Sequence, residues 1–255
     1  MLEILKLYLR LFFQPKRKIA NTIVGEKDKR DYNFSTEVKS VPTRAMIEFM
    51  PPIRNQNSIG SCASHSAIAL NEMLLLKKSG GEYVEGSELY HYYFARKNSG
   101  SLPKDSGMTM RDACSTSLNS GFAPEQLWPY KVSLFNTAPN TLAKAFSTIY
   151  KIDRYERLAT TDQIKASISE QIPVMCGLAL DRNFYKINKY HSTWVPGGSN
   201  VGGHAVVIVG FDDATQEFIF RNSWGSNWGD KGLFRVKYTD FSRKAFDWYR
   251  YIMKD

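Results

Sequence analysis

An α+β chain, helical in its first half and strand-rich in its second, is what three features of the sequence predict. Between residues 62 and 150 apolar positions recur at helical spacing and are punctuated by capping residues. After residue 150 come short apolar runs bounded by turn residues, the pattern of strands. With 255 residues, the chain is long enough to bury a substantial core in one large or two small units. A helical half followed by a strand-rich half implies two lobes with a cleft between them.

The elements follow in order. Residues 1–40 hold nine Lys/Arg and five Asp/Glu and lack a strong periodic pattern after Gln14, so they read as an appended segment, a short pro-segment or docking arm. Within it, Met1 to Phe13 is apolar but interrupted by Glu3, Lys6 and Arg10, too short and too charged to span a bilayer. Lys16-Arg17-Lys18 follows the apolar stretch instead of preceding it, the reverse of a signal peptide. Docking of residues 1–20 on a protein or, weakly, on a membrane surface is the expectation.

Residues 41–150 are assigned to the helical lobe. Pro42 and Pro51-Pro52 keep the approach to Gln56 extended, because proline pushes its predecessor out of the helical region. Ser61 stands at the N-cap position of a helix over 62–78, with Ala67, Leu70, Met73, Leu74 and Leu76 apolar and Gly80-Gly81 ending it. Ser87 caps a second, tyrosine-rich helix over 88–96, and a third spans about 108–118. Residues 151–255 form the strand-rich lobe. One helix is expected there, near 162–170, where Thr160 and Gln163 have capping-box spacing. Strands are expected over 174–180, 205–211, 217–221 and 233–238, with Asp212 to Thr215 as a hairpin turn.

The net charge of +9 is spread along the chain, and no nucleic-acid signature accompanies it, so no nucleic-acid partner is expected. Cys62, Cys114 and Cys176 are an odd, sparse set that argues against a disulfide framework. That usage favours a reducing compartment and is compatible with secretion. Cys114 and Cys176 read as small buried hydrophobes. No Cys/His cluster has ligand spacing, so neither metal nor cofactor is expected. His65, one turn after Cys62, reads as a polar helix residue near the cleft, and His91 and His191 as surface or tyrosine-adjacent residues.

Cys62 differs from the other cysteines in its position. It opens a helix, where unpaired N–H groups and the positive dipole end favour thiolate over thiol. Gln56, six residues upstream, offers a side-chain amide to an oxyanion. Far downstream lie His204, in Gly202-Gly203-His204, and Asn222, in Asn222-Ser223-Trp224-Gly225. A thiolate to attack a carbonyl, an imidazole to move protons, an amide to orient the imidazole and donors for the oxyanion are the parts of a cysteine hydrolase. Trp224 is placed to cover the Asn–His hydrogen bond.

These residues resemble the papain-like cysteine peptidases. The 142-residue interval from Cys62 to His204, the 18 residues on to Asn222 and the block Asn222 to Gly229 carry the resemblance, which covers about residues 41–255. It implies a papain-like two-lobed fold, with the nucleophile helix in one lobe and an antiparallel, barrel-like sheet in the other. It also implies a monomeric endopeptidase acting on proteins or peptides through a Cys62 thioester. Ser106 and Gly107 resemble the family's substrate-binding glycine pair, and Trp128-Pro129-Tyr130 its aromatic segment at the lobe junction. Met108, Gly203 and Trp224 are further expected substrate contacts, with Met108, Gly177 and Ala205 as walls of an apolar pocket. Ile59 and Ala63 depart from the family's cysteine and aromatic residue beside the nucleophile, and Ser106 from its first glycine, as in a compact bacterial or viral branch. An acyl-transferring ligase or transpeptidase shares the same thioester, and a latent peptide-binding relative is the other alternative.

Overall fold

The computed structural model describes residues 20–26, 32–34 and 40–253. The expectations for Met1–Phe13, for Lys16-Arg17-Lys18 and for docking through residues 1–19 lie outside these residues. Among the described residues there are six α-helices, α1 (Cys62–Ser79), α2 (Glu88–Asn98), α3 (Met110–Asn119), α4 (Thr141–Ser147), α5 (Thr161–Ser169) and α6 (Tyr238–Lys244). Among the described residues no helix is long and apolar enough to cross a membrane.

Local chemistry sets the helix ends. Gly80 closes α1 in the left-handed conformation, at φ 71°, with its N–H and that of Gly81 returning to the last turn. Ser87 Oγ caps α2 by accepting from Tyr90 N–H, as the sequence implies. α3 begins two residues later than expected because Thr109 and Asp112 form a capping box. The predicted box of Thr160 and Gln163 opens α5. Ser61 departs from expectation: it occupies the N-cap position of α1 without capping it, because its hydroxyl is drawn to Tyr130 Oη at 2.7 Å.

The strands are β1 (Tyr32–Asn33), β2 (Arg44–Met46), β3 (Arg154–Leu158), β4 (Val174–Asp181), β5 (Thr193–Trp194), β6 (Asn200–Asp212), β7 (Glu217–Arg221), β8 (Leu233–Lys237) and β9 (Ala245–Ile252). They join in one sheet in the order β1-β3-β9-β4-β6-β7-β8-β5, with β2 alongside β6. Pairing is antiparallel except at the edges, where β1 lies parallel to β3 and β5 parallel to β8. β4 is buried along nearly its whole length and β6 from His204 to Phe211, which is why both read as continuous apolar runs there. β6, at 13 residues, is the frame of the site. It pairs with β4, β7 and β2 at different points along its length, and α1 packs against it.

Three features correct the sequence reading. β2 belongs to the sheet although it lies within the segment assigned to the helical lobe. A second helix, α6 (Tyr238–Lys244), follows residue 150 where one was expected; Tyr238, predicted to end a strand, opens it. The last strand, β9, enters the middle of the sheet between β3 and β4.

Candidate active site

Four predicted residues converge where α1 meets β6. Cys62 is the first residue of α1, and its side chain is buried at 1% exposure. His204 sits in β6 opposite Leu178 of β4. Asn222 follows the last residue of β7, so two adjacent strands hold the His–Asn pair at fixed spacing. His204 Nε2 donates to Asn222 Oδ1 at 2.8 Å, and Ser223 N–H donates to the same oxygen at 2.8 Å. Oriented in this way, the ring keeps Nδ1 without another partner, available to the thiol. Trp224 lies over the imidazole, ring centroids 4.9 Å apart, in the covering position expected of it. Phe184 and Trp228 buttress the indole in turn, and Tyr185 stacks on it.

Burial opposes ionisation of the Cys62 thiol. Interaction with the His204 imidazole, the Thr22 hydroxyl and the Ala205 N–H outweighs burial and holds the thiol below the ordinary cysteine value. Cys114 and Cys176 are also buried, and burial alone pushes Cys176 well up. None of the three cysteines is in a disulfide.

Gln56 is fully buried, and both ends of its amide are engaged. Its Oε1 accepts from Ser223 Oγ at 2.7 Å, and its Nε2 donates to Ile59 O at 3.1 Å. These bonds fix the amide orientation and use one N–H of the NH₂ group, so the second is not committed by either of them. Ser223 was not singled out from sequence, although its place directly after Asn222 was the available clue. Tyr130, from the aromatic segment, bonds Ser61 Oγ and donates to Gln56 O at 2.8 Å, tying the loop before Cys62 to the helical side.

The two histidines nearest the thiol in sequence are structural. His65 is buried, hydrogen-bonded to Ser61 O and packed edge-on against Tyr130, and burial lowers its pKa to about 3. His91 corrects the surface reading: it is fully buried, bonded to Ser64 Oγ, Ala113 O and Ser117 Oγ. His191 is exposed, as expected.

Residues 20–25 lie in the cleft. Thr22 N–H donates to Gly203 O at 2.7 Å and Ile23 N–H to Met108 O at 3.2 Å. Thr22 Oγ1 stands 3.0 Å from Cys62 Sγ. Gly25 N–H donates to Asp247 Oδ2 at 2.7 Å, and Arg157 pairs with the other oxygen of that carboxylate at 3.3 Å. The approach is close enough to require glycine on both walls. A Cβ on Gly107 (φ 70°) would stand 2.1 Å from Asn21 O, and one on Gly203 2.1 Å from Thr22 O. Among the expected substrate contacts, Gly203 and Met108 thus meet a peptide main chain through their carbonyls. Gly107 provides the open space, while its own N–H donates to Tyr92 Oη at 3.3 Å. Ser106 turns its hydroxyl onto Gly107 O.

Comparison with known proteins bears on the family. The family model described as papain family cysteine protease matches residues 38–245. An uncharacterized peptidase C1-like protein, L477, of Acanthamoeba polyphaga mimivirus is 27% identical over 197 residues, 72% of this chain and 63% of its own length. Germination-specific cysteine protease 1 of Arabidopsis thaliana is 29% identical over 251 residues, 92% of this chain and 61% of its own. The chain thus spans about six-tenths of the length of these curated relatives. Among solved structures, xylellain, a cysteine protease from Xylella fastidiosa, superposes with a TM-score of 0.85 at 25% identity, covering 92% of this chain and 96% of that one. With its two-lobed α+β fold and a family match over most of its length, the chain belongs to the papain family of cysteine proteases.

Proposed function

We propose that this protein is a cysteine endopeptidase, held latent by residues 20–25. The observation that carries the reading is the convergence of Cys62, with its lowered pKa, on an imidazole already oriented by Asn222. Cys62 gives its proton to His204 and attacks the scissile carbonyl as thiolate, and the C–S bond forms as the carbonyl electrons move to oxygen. Gln56 Nε2 and the Cys62 N–H stabilise that oxygen, each donor worth about 3 kcal/mol in such sites. His204 then protonates the departing amine, leaving the thioester. Water, deprotonated by the same imidazole, releases the acid and regenerates the thiol. Asn222 keeps the ring in the tautomer that serves both steps.

Latency is supported by what the cleft holds. Thr22 presents a hydroxyl to the thiol, and its carbonyl lies against Gly203. The segment therefore occupies the position of a peptide without offering the reacting group. Two of the solved papain-family neighbours are themselves described as proforms.

The test is to treat the full chain with an irreversible thiol-directed peptidase inhibitor, map the adduct, and measure fluorogenic peptide turnover before and after removal of residues 1–26. Adduct at Cys62 and turnover that rises on removal are expected. Adduct elsewhere, or turnover that survives Cys62→Ala, would overturn the mechanism. Turnover that is unchanged by removal would overturn the latency.

A further inference from the structure

Asn222 also lines a small cavity that no catalytic step above uses. His65 of α1, Glu88 of α2, Arg54 and Arg221 supply most of its other polar lining. The space open to the centre of a water molecule is about 10 Å³, room for one water and for nothing larger. Two of these side chains end in buried atoms that have no hydrogen-bond partner among the described residues, Asn222 Nδ2 and Glu88 Oε2. Asn222 and Glu88 are only 3% and 1% exposed, so bulk water does not satisfy them. Buried polar atoms left unpaired are costly, and where a polar cavity admits a water they are bridged by it.

The other end of each group is already committed. Asn222 Oδ1 accepts from His204 Nε2 and from Ser223 N–H, and Glu88 Oε1 pairs with Arg54 Nε at 2.8 Å. His65 Nδ1 donates to Ser61 O at 3.1 Å, and burial keeps the ring neutral. Its Nε2, 3.8 Å from Glu88 Oε1, therefore carries a lone pair. One donor and two acceptors thus border a space for one water. A water there accepts from Asn222 Nδ2 and donates to Glu88 Oε2 and His65 Nε2, the three bonds usual for a buried water. We propose that a buried water bridges Asn222 to Glu88 and His65, and that these two are positioning residues for the His204–Asn222 pair. Held at its NH₂ end as well as its oxygen, the Asn222 amide keeps Oδ1 turned to the imidazole while that ring is charged, and the charged ring supports the Cys62 thiolate. This inference rests on the peptidase reading above.

The pH midpoint of Cys62 alkylation by iodoacetamide, measured on the full chain by mass spectrometry, tests it. Opening of the cleft changes the plateau of that profile and leaves the midpoint alone. His65→Phe keeps an aromatic ring against Tyr130 and alters no charge at neutral pH, yet removes one acceptor from the cavity. Its midpoint should rise by about half a pH unit, an about threefold loss of rate on the acid side. Glu88→Gln should also raise the midpoint, whereas loss of a nearby negative charge by itself would lower it. Glu88→Asp, which keeps the charge, should shift it less. The double variant His65→Phe/Glu88→Gln should move no further than the larger single shift, since both residues act through one water. Glu85→Gln takes a carboxylate from the same Arg54 outside the cavity and should leave the midpoint unchanged. An unmoved midpoint in either single variant that folds, shifts that add in the double variant, or an equal shift in Glu85→Gln would overturn the bridge. A wild-type midpoint no lower than that of an ordinary thiol would instead overturn the peptidase reading itself.

Discussion

Replacing Thr22 with alanine separates the two things its hydroxyl does to Cys62. The hydroxyl anchors the cleft segment at 3.0 Å from the sulfur, and it stabilises the thiolate by hydrogen bonding. A hydrogen bond of this kind contributes about 1 kcal/mol net, so its loss should raise the population of the open cleft about fivefold. It should also raise the thiol pKa, because one of the interactions opposing burial is gone. The assay is the rate of iodoacetamide alkylation of Cys62 from pH 4 to 9, read by mass spectrometry. Opening lifts the plateau, whereas the pKa change moves the midpoint to higher pH. The variant should therefore react faster than the wild type above neutrality, with the advantage shrinking on the acid side. Deleting residues 1–26 should lift the plateau further. Buried Cys114 and Cys176 should stay unmodified throughout, which distinguishes opening from unfolding. A plateau unchanged in both the variant and the deletion would refute the idea that this segment covers the thiol.

Further expectations concern groups around the site. Ser223→Ala removes the donor to Gln56 Oε1, leaving a buried acceptor at a cost of about 1–3 kcal/mol; kcat should fall with little change in KM, and Ser223→Thr should restore it. His91, with a pKa lowered by burial to about 4 from 6.5, is neutral in the fold. Because its folded pKa lies below the unfolded one, its contribution is complete above pH 6.5 and is lost as pH falls through about 4, a change of about 3 kcal/mol. Urea unfolding at pH 7.5 and 4.5 should therefore show a steeper acid loss in the wild type than in His91→Gln. Arg54 pairs with Glu72 and Glu88, two buried carboxylates, and Arg54→Met should cost about 3–5 kcal/mol. Burial already raises Glu72 to about 7, so removing the cation should hurt most above that pH, as thermal unfolding at pH 5 and 8 will show.

The site was legible because its chemistry is concentrated in short runs. Gln56 to Cys62, Gly202 to His204 and Asn222 to Trp224 each put a functional group next to its backbone support, and a resemblance joined the three. Helices with local caps, such as those at Ser87 and Thr160, were legible for the same reason. What escaped depends on distant partners. β2 and β9 become strands by pairing with β6, β3 and β4, and the runs of β3 and β9, which mix Arg, Tyr and acidic residues, lack the apolar alternation of an independent strand. His91 looked like a surface residue because the hydroxyls that satisfy it, Ser64 and Ser117, come from two other helices. Ser61 lost its capping role to Tyr130, 69 residues away.

The late arrival of β9 has a consequence for biosynthesis. Residues 245–252 are inserted between β3 and β4, so the sheet has a gap at its centre until that stretch is available. The strands on either side of the gap can meet only through it, and such long-range pairing forms slowly. Asp247, which meets the cleft occupant, arrives in the same late stretch. A nascent chain from which residues 245–252 have not yet emerged therefore holds Cys62 and His204 on an unfinished frame, whereas the segment that covers them has already emerged. Cleft and cover are completed together, and at no stage of synthesis does a finished site precede its occupant.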